Sequence, residues 1–327
     1  MRALAGLRVL VAVVCVGAGL VLAVASGAVA APLRICVPEA EGKPIKTPKK
    51  GVCAAKTVAT VVLPQAEEEK LAAILPYEKY VASGVGGKPT IQVSGANVQI
   101  LNGEGKTNNT NGAGNLVMGY DEEPGEQTGS HDLVLGTGQA YSSYSSLIGG
   151  TKNTAKGAFS VVFGESNLAE GLEAEVLGGG ANKATSFQAL VLGGSENSAS
   201  GVASNITGGQ ANKAEAQWAA VSGGQGNLAS GELASVSGGA VNKASGGSAS
   251  VSGGGGNTAS FWSASVSGGA LNLASGEGAS ISGGADGTAS GDWAWVGGGY
   301  KNTASGFSAS VFGGKELTAK NAYEAIP

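Results

Sequence analysis

The sequence predicts an all-β fold: a parallel β-roll, or β-solenoid, of 14–15-residue coils, with a small N-terminal region containing a short helix. Three observations predict it. A pattern of the form A-S-V-S-G-G-x-x-N-x-A-S-G recurs at a fifteen-residue interval, as in the stretches beginning at Ala234, Ala249 and Ala264. The chain of 327 residues holds 58 glycines, enough to turn it twice per repeat. Aromatics make up 5% and charged residues 13%, so neither a conventional core nor a self-repelling disordered chain fits.

Residues 1–30 read as an export signal. Arg2 and Arg8 precede an apolar run from Val9 to Ala25, and Ala28-Val29-Ala30 forms a small-x-small cleavage motif. The run is also long enough for an uncleaved anchor. With the signal removed, no membrane span is expected, and the protein is placed in the secreted or cell-surface compartment.

Residues 31–90 form a first region. Cys36 and Cys53 are the only cysteines of the mature chain, and in an exported protein such a pair forms a disulfide. Closing that loop would stabilise by roughly 3 kcal/mol in the chain-entropy picture. Lys43, Lys46, Lys49 and Lys50 lie in a Pro-containing loop, read as solvated rather than as a contact for an anionic envelope polymer. After Pro64, the acids Glu67–Glu69 and the apolar trio Leu71, Ile74 and Leu75 predict a short helix that ends at Pro76. Such a helix would be one strand of a plug or a cap on the coils beyond it.

Residues 91–160 carry irregular copies of a strand motif. VQILNGEG, LVMGYDEE, LVLGTGQA and LIGGTKNT each set an apolar strand before a Gly turn, led by Val98, Leu116, Leu133 and Leu147. From Val161 the interval locks to fifteen, and residues 161–327 form the regular roll with its C-terminal cap. Its central aliphatics run Val161, Val176, Val191, Ile206 and onward to Val311. In A-S-V-S, Ala and Val point one way and Ser the other. The Gly pair turns the chain, N-x-A-S forms a second strand with Ala inward, and a second Gly such as Gly231, Gly246 or Gly276 closes the coil. Stacking at about 4.8 Å then aligns Asn167, Asn182, Asn197, Asn212, Asn227, Asn242, Asn257, Asn272 and Asn302 into a ladder whose side-chain amides hydrogen-bond up the stack. One Val and two Ala per coil make a thin core. The roll therefore leans on many neighbours, or on a second face buried by oligomerisation.

This repeat resembles the head repeats of YadA-like trimeric autotransporter adhesins over about residues 95–320. The resemblance implies left-handed parallel β-rolls, three chains side by side, displayed on a bacterial surface to bind host matrix and cells. The family's strand reads S-V-A-I-G with a period of 14; here it reads S-V-S-G-G with 15. No neck, heptad stalk or C-terminal barrel is read before the last residues, NAYEAIP. Export or attachment through the N-terminal region is expected to take their place.

Reactive chemistry is sparse. The single histidine, His131, beside Asp132, is read as a solvated loop residue rather than part of a triad. The coil period does not fit the six-residue edges of hexapeptide acyltransferases. The G-G-x-G turns carry Asn where a calcium nonapeptide needs Asp, and no Lys-Ser/Thr follows the Gly clusters to hold a phosphate. No catalytic residues, metal or cofactor are assigned, and a net charge of −4 argues against nucleic acid. The aromatics remain. Phe187, Trp218, Phe261, Trp262, Trp293 and Phe307 all fall at the second corner of their coils, and Trp295 lies beside Val296. They are candidate contacts for a surface glycan or protein, or between chains of a homotrimer, or covers for Gly corners. The expected function is a non-enzymatic, adhesin-like or structural rod that binds multivalently. The alternatives are a monomeric solenoid that binds ice or carbohydrate, and a phage-fibre-like structural module. Ice binding would need a flat Thr lattice, and Thr258, Thr288 and Thr303 look sporadic in the sequence.

Overall fold

The computed structural model describes residues 76–327 throughout, residues 72–74, and the backbone alone of 9–10, 23–24, 33–38 and 57–62. The chain divides into two compact units, residues 1–98 and 99–327. In the first, Leu33–Pro38 pairs antiparallel with Thr57–Val62, placing Cys36 opposite Ala59. Glu78–Val81 pairs antiparallel with Thr90–Val93. Residues 72–74 are helical, while the rest of the expected helix, Cys53 and most of the expected signal segment lie outside the described residues.

The second unit is a parallel β-solenoid. A fifteen-stranded sheet and a thirteen-stranded sheet stack back to back, and each coil gives one strand to each. The first sheet runs from Leu116–Met118 to Ala325–Ile326, the second from Ala140–Tyr141 to Thr318–Ala319. At about 4.8 Å per rung, the first sheet is roughly 65 Å long. The alternation in the sequence sets which side chains enter. In a typical coil Ala234, Val236, Asn242 and Ala244 are buried, while Ser237 and Lys243 face out. The interior is thus one aliphatic, two alanines and one amide per turn.

Each interior Asn makes three hydrogen bonds. The Nδ2 of Asn227 donates to the carbonyls of Gly223 (2.9 Å) and Gly239 (3.0 Å), and its Oδ1 accepts the backbone N–H of Asn242 (2.9 Å). The side-chain amides therefore hydrogen-bond up the stack, as expected, with backbone N–H and carbonyl groups as their partners. The reason is geometric: the main-chain N–H of the next Asn lies directly above each Oδ1, and the glycine carbonyls take both amide protons. The ladder also starts earlier than the sequence pattern suggests. Asn153 bonds the N–H of Asn167, Gln139 bonds that of Asn153, and the Asp121 carboxylate bonds that of Gln139. It is interrupted at Gly287 and resumes at Asn302.

The register corrects the start of the regular roll. The residue that stacks on Val176 is Val162, not Val161, which faces outward. Val134, Ile148, Val162 and Val176 are in register, so the early coils have fourteen residues and the fifteen-residue interval begins only at Val176. The extra residue sits in the first corner. In the short coils the strand continues through it, as in Val161–Glu165; in the long ones it stops after two residues and pairing resumes at a single bridge, Glu165 with Gly180. Asn167 bonds the carbonyl of Phe163 and Asn182 that of Gly178, and Val162 pairs with Val176, so Leu177 and Gly178 together stand where Phe163 stands alone and form a bulge.

Two glycine positions behave differently. The one represented by Gly164, Gly239 and Gly314 has φ between +76° and +109° in every coil from Gly136 on. A Cβ on Gly239 would stand 2.1 Å from the carbonyl oxygen of Gly254, so only glycine fits. The closing glycine of the second corner does not itself supply a left-handed turn. Gly231 has an ordinary φ, and Ser186, Ala216 and Phe261 occupy its place in other coils. The left-handed residue lies two positions on and carries a side chain in most coils, as at Leu233 (φ 59°), Ser248 (56°) and Trp293 (60°), with Gly278 (59°) an exception.

VQILNGEG forms no strand. Residues 99–115 instead fold over the open end of the stack, where Asn102 is buried and donates through Nδ2 to the carbonyl of Asn109. A loop rich in Asn and Gly satisfies its own backbone through side chains and so needs no partner strand.

Candidate functional surfaces

The coil geometry sorts the outward side chains into two edges and two flat faces. At the second corner, two consecutive positions per coil project outward, and the mostly buried closing-glycine position before them also projects where it holds Phe261; together they hold the predicted Phe187, Trp218, Phe261, Trp262, Trp293 and Phe307, all exposed by 41–58%. The same positions also hold Tyr144, Phe159, Leu172, Val202, Leu233 and Tyr323, which the sequence reading missed although their coil offset is the same. Apolar side chains therefore recur along this edge from Tyr144 to Tyr323, interspersed with Glu173, Glu232, Glu277 and Asp292. Its rings pack along the axis: Tyr144 meets Phe159 edge-on at 5.3 Å, and Phe307 meets Tyr323 at 5.5 Å. Trp262 lies against Gly247 and Trp293 against Gly278, each over the coil before it, where a Cβ would strike the ring. Some of the aromatics thus do cover glycine corners while leaving half their surface to solvent. A shallow depression lined by Phe159, Glu173, Glu175 and Gln188 adds an acidic rim.

Trp295 stands apart. It projects from the first sheet, packs edge-on against Phe312 at 5.2 Å and donates its indole N–H to the Ser282 hydroxyl at 3.0 Å. That outer face changes character along the stack. Leu133, Leu135, Leu147, Val161, Phe163, Leu177, Leu190 and Leu192 make its early rungs largely apolar, with Glu175 the one charged side chain, between Val161 and Leu190. From Ser235 to Ser282 it is a double column of serines, and Trp295 with Phe312 ends it.

The second sheet's outer face is polar. Thr288, Thr303 and Thr318 stack in register, with Ser290 and Ser305 beside them, so these threonines form a short ladder rather than a scatter. Further back the equivalent position holds Lys183, Ser198, Lys213, Leu228 and Lys243 in sequence.

His131 is not a free loop residue. Its Nε2 accepts the N–H of Asn102 (3.3 Å) and its Nδ1 contacts the carbonyl of Thr107 (3.1 Å), pinning the capping loop to the first coils. Next to it, Asp132 is 3% exposed, with Oδ1 accepting the Ser146 N–H (2.7 Å) and Oδ2 without a partner. Burial raises its pKa to about 6, against the opposing pull of the Ser146 hydrogen bonds and of His131. Asp132, Ser146 and Ser160 hold the interior column that becomes alanine at Ala174 and Ala189. Among the described residues no three His, Cys, Asp or Glu side chains are placed to share a metal, and no helix is long and apolar enough to cross a membrane.

Together these features define the class: a parallel β-solenoid with surfaces that extend along its axis. No protein-family model matches the chain, and no curated protein matches it.

Proposed function

We propose that this protein is an exported, adhesin-like or structural β-roll rod that acts as a homotrimer and binds surface glycans or proteins multivalently. The observation that carries this reading is the recurrence of apolar side chains along the edge from Tyr144 to Tyr323. Half-exposed rings spaced along a rigid axis offer many shallow contacts, a geometry in which affinity comes from repetition rather than from a deep pocket. The early rungs of the first sheet support self-association: eight outward apolar residues from Leu133 to Leu192 make a patch that a monomer would leave to water. The likeness of the repeat to trimeric adhesin heads points the same way, and the three 14-residue intervals from Val134 to Val176 match that family's period.

The test is retention of the full chain on immobilised glycans and matrix proteins, compared with a Trp218→Ala, Trp262→Ala, Trp293→Ala triple variant. The reading expects the variant to lose at least about tenfold in retention while keeping its thermal transition. Equal retention of the two proteins contradicts it.

One observation favours a second reading. The ladder of Thr288, Thr303 and Thr318 with its flanking serines is a regular hydroxyl array, as an ice- or carbohydrate-binding solenoid would use. Inhibition of ice recrystallisation by a monomeric chain would support it over the adhesin reading.

A further inference from the structure

The outer face of the second sheet carries a charge pattern that neither reading uses. Lys183, Lys213 and Lys243 occupy the same outward position on alternate rungs, with Ser198 and Leu228 between them. All three are exposed, and the ion pairs among the described residues, Lys156–Glu170 and Lys315–Glu316, do not include them. Two rungs put the backbone positions that carry them about 9.6 Å apart on one line parallel to the stack axis. Lys156, two rungs earlier on the neighbouring column, continues the row.

The sign of the face is also distinctive. Its outward positions hold five lysines, Lys156 and Lys320 included, against Glu170 and Glu215, on a chain whose net charge is −4. Beside the lysine line runs a hydroxyl column, Thr185, Ser200, Ser230 and Ser245, broken only by Glu215. A line of point cations on a flat, hydroxyl-bearing surface selects a polymer with matching charge spacing. Nucleic acid does not match, because its phosphates repeat at about 3.4 Å per strand. A membrane surface has no preferred line. An extended glycan with one anionic group per two sugars has its charges at about this interval, and its uncharged sugars would lie over Ser198 and Leu228.

We propose that this face binds a linear anionic polysaccharide bearing one carboxylate or sulfate per disaccharide, laid along the solenoid axis. The proposal uses a different surface from the aromatic edge and holds for any number of chains. It is tested by titrating hyaluronan oligosaccharides, with one carboxylate per disaccharide, into the full chain. A K183Q/K213Q/K243Q variant is compared with a K152Q/K301Q/K315Q variant, which removes the same charge from the first-corner edge. The expected result is binding by the wild type and the edge variant with equal affinity, and at least about tenfold weaker binding by the face variant. All six lysines are exposed, so both variants should keep the wild-type thermal transition. Absence of hyaluronan binding by the wild type overturns the proposal, and so does an equal loss in the two variants. Failure of the aromatic triple variant to lose retention would leave this result untouched, so the two claims fail separately.

Discussion

At the scale of single residues, the interior is governed by hydrogen-bond accounting more than by apolar bulk. An interior Asn uses both amide protons and its carbonyl oxygen in hydrogen bonds, in a space where an unpaired group costs about 1–3 kcal/mol. Asp132 and Ser204 depart from this, each buried with one side-chain oxygen unpartnered; of the two only Asp132 titrates. Its carboxyl, raised from 3.8 to about 6, holds a proton more tightly folded than unfolded. The folded state is therefore favoured most below about pH 4, and that advantage is lost as pH rises to about 6, a penalty of at most about 3 kcal/mol thereafter. Asp132→Asn keeps an oxygen for the Ser146 N–H and removes the titration. Thermal melts at pH 4, 6 and 8 should show the variant gaining on the wild type as pH rises; a constant difference between the two would contradict this account.

At the scale of the coil, much was legible in the sequence. Strict alternation fixed which face of A-S-V-S enters, and the Asn and Gly positions followed from the period, because a stacked coil repeats each environment at each rung. The features that escaped had physical causes. Val161 and Val162 are both valines, so no local signal chose between them, and only pairing with Val176 did. Residues such as Leu233 and Trp293 adopt left-handed angles that propensity assigns to glycine, held there by pairing above and below. The capping role of 99–115 and His131 depends on contacts across distant residues, which a period cannot reveal. The lysine line became visible only when the alternation of Lys, Ser and Leu was set on successive rungs. The bulge at Leu177 and Gly178 makes a prediction at this scale. Deleting Gly178 should turn its coil into a 14-residue one, with the Leu177 carbonyl taking the Asn182 amide as that of Phe163 takes Asn167. Its melting temperature should fall by only about 5 °C or less. Deleting Ala184 instead would swap the inward and outward faces of a strand, and should abolish the cooperative transition. Equal effects from the two deletions would overturn the assignment of the extra residue.

At the scale of the whole molecule, the solenoid trades a thick core for length. Each coil encloses little apolar volume, yet its pattern is repeated along roughly 65 Å of stack, so any feature placed once per coil becomes a line. Three such lines coexist: an aromatic edge, a lysine row, and an apolar patch over the early rungs of the first sheet. The patch is the feature least compatible with an isolated chain, and its burial between copies is the step that would turn one rod into a multivalent one. Light scattering on a sizing column measures this directly with the purified chain. The account predicts a species of three chain masses that dissociates when Leu177 and Leu192 are replaced by serine. A stable particle of one chain mass, with the patch left in water, would contradict it.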